Sequence, residues 1–172
     1  CDGPEAAKAV KALAEYDKPA YLRLGRLAVE TVTAEDTPFE IGKGIVLRDG
    51  KDAVVFACGL MVQEALKAAE ILAEKGVDAA VVDMHTIKPL DEQLVIDMTK
   101  KCGAVVTAEE ATVMGGLGSA VAEVLAENAP VPMGRIGVLD SFGESGKPAE
   151  LLAKYHLTAA DIAEKVCDVL KK

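Results

Sequence analysis

Residues 53–84, AVVFACGLMVQEALKAAEILAEKGVDAAVVDM, decide the fold. The stretch opens on the apolar run AVVFAC (53–58) and passes into an Ala/Leu-rich helical pattern over 61–75. Gly76 stops that pattern, and a second apolar run, VDAAVVDM, follows over 77–84. A glycine just past a helical pattern suits the left-handed residue that ends a helix. Both runs are apolar at successive positions, as expected of strands covered on two faces. Two strands joined through a helix need a crossover connection, which makes them parallel.

The same alternation continues downstream. A helix is predicted over 91–101, introduced by Pro89, and a strand over 104–107. A second helix over 115–127 opens on a glycine cluster. A last strand covers 135–139, and helices near 149–155 and 159–170 finish the chain. Upstream, 45–47 reads as a short strand closed by the turn pair Asp49-Gly50, so an antiparallel edge pair with the strand at 53–58 is expected. Residues 27–43 are polar, contain Pro38 and have no helical period, which reads as a linker. Before it, 4–16 (PEAAKAVKALAEY) is a predicted helix with proline at its start, and 20–24 is a β-prone run. The expected class is α/β: a three-layer open sheet of about five strands, mostly parallel with one antiparallel edge strand, and helices on both faces.

Composition narrows the function classes. Of the 172 residues, 51% are hydrophobic and 27% charged, which argues against a disordered chain. Aromatics are 3% and Trp is absent, so a base-stacking platform is disfavoured. With 19 Lys+Arg against 28 Asp+Glu the net charge is -9, which also speaks against nucleic acid as a partner. Charges break every apolar stretch well before the ~18 residues that cross a bilayer, so no membrane span is predicted. The start does not resemble a signal peptide. It is Cys1 rather than Met, so the chain is read as part of a longer protein, whose active site need not lie within it. The cysteines at 1, 58, 102 and 167 show no CxxC spacing. Cys58, inside an apolar run, reads as a small buried hydrophobe. No Cys/His pair has metal-ligand spacing, and a reducing cytoplasm fits this cysteine usage.

Several local patterns could carry chemistry. Gly115-Gly116-Leu117-Gly118 could present backbone amides to a phosphate at a helix start, yet it does not complete a dinucleotide fingerprint because position 121 is Val121. Tight turning and close helix–sheet contact are the favoured reading. Gly143-Glu144-Ser145-Gly146-Lys147-Pro148 looks superficially like a phosphate loop, but Ser141 and Pro148 break the pattern. A simple loop with Ser145 as a helix cap is expected instead. Glu109 and Glu110 follow a strand end, where open α/β sheets often place chemistry, and a solvated or capping pair is the favoured reading. His85 and His156 have no acid or nucleophile at motif spacing, and no serine sits in a GxSxG elbow. Tyr21-Leu22-Arg23-Leu24-Gly25-Arg26 places two guanidinium groups at the end of an apolar run in an acidic chain. They suit either a phosphate or carboxylate gripped by paired hydrogen bonds, or an ion pair at an interface.

YLRLGR (21–26), IGKG (41–44), VVDMHTIKPLD (81–91), VVTAEE (105–110), GGLGSAVAEVLAE (115–127) and RIGVLDSFGESG (135–146), in this order, resemble the C-terminal part of transketolase, especially the form split into two subunits. The resemblance covers essentially the whole chain. The TIKPLD and GGLGSAV blocks are shared with deoxyxylulose-phosphate synthase and with the beta subunit of 2-oxoacid dehydrogenase E1, which stand as the alternative. DMHTIKPLD and FGESG look more like transketolase.

The resemblance implies thiamine diphosphate and a divalent metal in the full enzyme, held between a pyrophosphate-binding domain and the pyrimidine-binding domain of a dimer mate. It implies that 1–36 are the tail of the pyrimidine-binding domain plus linker and that 37–172 are the transketolase C-terminal domain, which serves dimerisation and organisation. The cofactor-activating Glu and the metal ligands would lie upstream of Cys1, so no catalytic, cofactor-binding or metal-binding residue is expected here. Arg26 matches the family's sugar-phosphate contact, and Arg23 a neighbouring arginine in some relatives. Where many relatives read EEH, this chain reads Glu109-Glu110-Ala111. The implied partners are an N-terminal transketolase subunit, a second copy in a homodimer, and phosphorylated sugars. The chain alone is expected to be inactive.

Overall fold

The computed structural model describes residues 1–171. The elements run α1 (Gly3–Ala14), β1 (Ile45–Arg48), β2 (Ala53–Ala57), α2 (Met61–Glu74), β3 (Ala79–Asp83), α3 (Glu92–Cys102), β4 (Val105–Thr112), α4 (Leu117–Asn128), β5 (Met133–Val138), α5 (Pro148–Lys154) and α6 (Ala159–Leu170). They build one sheet of five strands in the order β1-β3-β2-β4-β5. β3, β2, β4 and β5 are mutually parallel, and β1 runs antiparallel along β3.

Strand alternation divides the core into two layers. Val55, Ala57, Val81, Val106 and Ala108 point to one face and pack with Met61, Ala65, Leu72, Ile162 and Val166 of α2 and α6. Val54, Phe56, Ala80, Val82 and Val105 point to the other and pack with Val95, Leu117, Val121 and Leu125 of α3 and α4. Every residue of β2 and β3 is buried, which is why their sequences are continuously apolar.

The antiparallel edge strand lies where the class reading put it, but its partner differs from expectation. β1 pairs with β3, not with β2. The segment between β1 and β2 passes over the start of β3. The amides of Lys51 and Asp52 donate to the Asp78 carbonyl at 3.0 and 2.9 Å, and a Cβ on Gly50 would stand 2.4 Å from the Ala80 amide nitrogen. Gly50 is therefore needed for close approach to a crossing strand rather than for a hairpin turn. Arg48 secures the crossing by donating to the Asp78 carboxylate and the Ala79 carbonyl.

Two further expectations are corrected. Residues 20–24 form no strand: among the described residues no strand lies beside them to complete a ladder, and Tyr21 is 88% exposed. Ser145 caps nothing, because α5 starts at Pro148 after Lys147 and has no side-chain cap. Elsewhere the helix ends follow local chemistry. Gly103 closes α3 at φ 71°, and Thr158 with Asp161 forms a reciprocal capping box at the start of α6. Asp2 caps α1 by accepting from the Glu5 amide at 2.9 Å, and it also accepts from the amides of Val32 and Thr33.

Candidate functional site

The basic segment is positioned by one polar contact. Arg23 Nη2 donates to the Glu110 carbonyl at 2.8 Å, and Glu110 lies towards the C-terminal end of β4. The segment 21–27 thereby rests at the carboxyl edge of the parallel strands, the edge from which open α/β sheets present their functional loops. β4 and β5 change register between Ala108 and Thr112, which frees Glu110 from a regular ladder at this point. Arg26 lies exposed three residues on, and among the described residues neither arginine forms an ion pair within the chain. The same edge exposes large apolar groups: Leu24, Met114 and Leu139 are more than half exposed, Tyr21 more so, and Phe142 is 99% exposed. The Phe142 carbonyl accepts from the Tyr155 hydroxyl at 2.9 Å, which holds that loop against the end of α5.

The glycine-rich turn before α4 is not a vacant anion site. Glu109 is buried and extends its carboxylate across the first turn of the helix. Oε2 accepts from the Leu117 amide at 2.9 Å and Oε1 from the Gly118 amide at 2.8 Å. These are the donors a phosphate would use. A Cβ on Gly116 would stand 2.0 Å from Glu109 Oε2, so the glycine makes room for the protein's own carboxylate. Of the two adjacent acids, then, Glu109 is the cap and Glu110 lends only its backbone. A diphosphate cofactor of the kind implied by the resemblance does not fit this turn, because its amides are already bonded. No step of cofactor chemistry is assigned to residues of this chain.

The remaining candidates fall to structural roles. His85 stacks on Phe39 with ring centroids 4.2 Å apart, and burial holds its pKa below the ordinary value. His156 sits just past α5 at φ 56°, exposed, with Nδ1 3.2 Å from Asp161 Oδ1. Burial, reinforced by the Glu109 and Asp83 charges, pushes the Cys58 thiol up to about 12, so it is a thiol and not a nucleophile at neutral pH.

Sequence spacing missed one cluster. Glu5 on α1 and Asp83 at the end of β3 are both buried and lie beside Cys1. Burial, with the Glu5 carboxyl next to it, raises Asp83 to about 9. These residues are far apart in the chain and fit no short motif, so only the fold brings them together.

No helix among the described residues is long and apolar enough to cross a membrane. Comparison with known proteins agrees with the architecture. The family described as transketolase, C-terminal domain, matches residues 42–162. A 6-deoxy-6-sulfo-D-fructose transketolase subunit of Clostridium sp. (strain MSTE9) is 45% identical over 99% of this chain and 53% of its own length. A 1-deoxy-D-xylulose-5-phosphate synthase of Syntrophotalea carbinolica is 44% identical over 96% of this chain and 26% of its own length. A solved split-gene transketolase, an inactive β4 tetramer, superposes with a TM-score of 0.96 at 48% identity, covering 99% of this chain and 56% of its own. The chain thus spans about half the length of these transketolase relatives. On sequence, sheet order and superposition alike, the chain belongs to the transketolase C-terminal domain family.

Proposed function

We propose that this chain is the C-terminal part of a split transketolase and that it assembles with an N-terminal subunit carrying the pyrophosphate-binding domain. The assembly would transfer a two-carbon ketol unit between phosphorylated sugars, as in the pentose phosphate pathway. Thiamine diphosphate, bound with a divalent metal by the other domains, would supply the electron sink for the carbanion. Within that assembly, residues 1–36 complete the pyrimidine-binding domain and 37–172 form the organising C-terminal domain. The chain alone has no transfer activity in this reading, because no cofactor-holding or proton-transferring group is assigned to it. Its four free thiols suit a reducing cytoplasm.

The observation that carries the reading is the Arg23–Glu110 contact, which presents exposed Arg26 at the carboxyl edge of the sheet. There Arg26 would orient a sugar phosphate, with Arg23 beside it, and leave the chemistry to the cofactor. Self-association through the exposed apolar groups at that edge follows from the same reading. The family resemblance implies a homodimer, whereas the split-gene neighbour is a tetramer, so the stoichiometry is to be read by sedimentation.

A second reading has its own support in the synthase relative, for which pyruvate would be the donor. The test is transfer by the full-length protein mixed with its N-terminal partner, with ketose phosphate and pyruvate offered in parallel. Turnover of the ketose phosphate alone is expected. Turnover of pyruvate would move the parent to the synthase or dehydrogenase branch, and transfer by this chain without a partner would overturn the assembly reading.

A further inference from the structure

Two acidic side chains meet inside the molecule where α1 approaches the end of β3. Asp83 is fully buried, and apart from the Glu5 carboxyl beside it no polar group among the described residues reaches either of its oxygens. Glu5, 5% exposed, has an equally unpartnered Oε1, while its Oε2 contacts the Cys1 backbone nitrogen. The Cys1 side chain is completely shielded. Its Sγ and one oxygen from each carboxylate all lie within 4.8 Å of one another. The neighbouring polar groups leave these acids unsatisfied. Asp2 directs its oxygens to Glu5 N, Val32 N and Thr33, and His85 is stacked on Phe39 with both ring nitrogens unpartnered. Buried carboxylates in native proteins are paired or bound to a cation, because a bare one is costly to desolvate.

We infer that Cys1 Sγ, Glu5 Oε1 and Asp83 form a site for one divalent cation of the zinc class, joining the N-terminal helix to the central sheet. The donor set gives the class: a thiolate selects a borderline-soft ion over magnesium or calcium, and carboxylate oxygens complete a mixed shell. The spacing is compatible. Zinc bonds of about 2.0–2.3 Å place tetrahedral ligand atoms roughly 3.3–3.7 Å apart, and these atoms, all within 4.8 Å of one another, reach that spacing with small side-chain shifts. The charge is also compatible. A dication would displace the proton that the Asp83 carboxyl holds at neutral pH and the thiol proton of Cys1, and its two positive charges would offset the negative charge this exposes. Two ligands come from the start of the chain and one from β3, so the ion would clamp residues outside the family-matched region 42–162 to residues inside it. The inference does not depend on the transketolase reading.

The test is titration of the chelator-stripped full chain with Zn²⁺ and Co²⁺, read by metal content, thermal melting and absorption. One bound equivalent, a higher melting temperature and a Co²⁺–thiolate charge-transfer band are expected. Cys1→Ser should abolish the band, and Asp83→Asn should weaken binding by at least about 10-fold. Cys58→Ser, which removes the other thiol near Asp83, should leave the band intact. Absence of a bound equivalent overturns the inference, as does a thiolate band that survives Cys1→Ser. So does Asp83→Asn stabilising the protein while metal has no effect, because the two carboxyls would then share a proton instead. Should a variant fail to fold, the wild-type Co²⁺ spectrum decides: without a thiolate band the site does not exist.

Discussion

The carboxylate of Glu109 lies across the start of α4, 2.8 Å from the Gly118 amide and 2.9 Å from the Leu117 amide. A strand residue thus supplies the charge that complements the positive end of the following helix. Replacing Glu109 by Ala removes two charge-assisted hydrogen bonds from buried donors and is expected to cost about 3 kcal/mol. It also vacates the anion position. Phosphate or sulfate should therefore raise the melting temperature of Glu109→Ala and leave the wild type nearly unchanged. Equal responses of the two proteins would show that the turn is open to anions despite the carboxylate.

Gly116 is coupled to the same carboxylate, since a Cβ there would stand 2.0 Å from Oε2. Gly116→Ala must displace Glu109, so its cost should resemble the loss of the cap, on the order of 2–3 kcal/mol. Once Glu109 is already Ala, the same change meets little. A double-mutant cycle by chemical denaturation should give a coupling energy above about 1 kcal/mol. Additive costs would place the strain of Gly116→Ala elsewhere.

The legible parts of this protein were those written in adjacent residues. The runs AVVFAC and VDAAVVDM are buried on both faces, and their composition announces it. The partner of β1 was not legible, because Asp49-Gly50 has the composition of a hairpin turn while Gly50 is required by the close passage of Ala80. The 20–24 run carries strand-forming residues without a neighbouring strand, and propensity alone cannot supply one. The GGLG turn is structural, as its glycines suggest, but which acid fills it depends on how β4 lies beside α4. The Cys1, Glu5 and Asp83 cluster was invisible for a different reason: metal-site spacing rules describe ligands close in sequence, and these ligands meet through the fold.

The start of α6 should respond to acid in a defined window. Burial alone would raise the Asp161 pKa, but the Thr158 hydroxyl and amide and the His156 ring outweigh it and hold the carboxyl below its ordinary value of 3.8. A depressed carboxyl contributes its full stabilisation above the unfolded-state pKa and loses it as pH falls through the lower, folded-state value. Asp161→Asn should therefore cost about 1 kcal/mol at neutral pH. The melting-temperature gap to wild type should stay constant down to the ordinary carboxylate range and close below it. A gap that persists at strongly acidic pH would mean that Asp161 acts through packing rather than charge.

Arg23 and Arg26 should separate when tested in the assembled enzyme. Arg23 is anchored to the Glu110 carbonyl at 2.8 Å, so Arg23→Ala loosens the segment that presents Arg26. A modest rise in KM, accompanied by faster proteolysis within 18–30, is expected. Arg26 is exposed and would meet the phosphate directly, so Arg26→Ala removes a charge-assisted contact made in ground and transition states alike. Uniform binding lost in this way raises KM while leaving kcat near its original value. A contact of about 1.5–3 kcal/mol corresponds to a KM increase of roughly 10- to 100-fold for a phosphorylated sugar. A non-phosphorylated acceptor lacks the group that Arg26 would hold, and its KM should not change. Equal effects on both acceptors would indicate that Arg26 supports the fold of the edge rather than the phosphate, and an unchanged KM for both would remove it from the site.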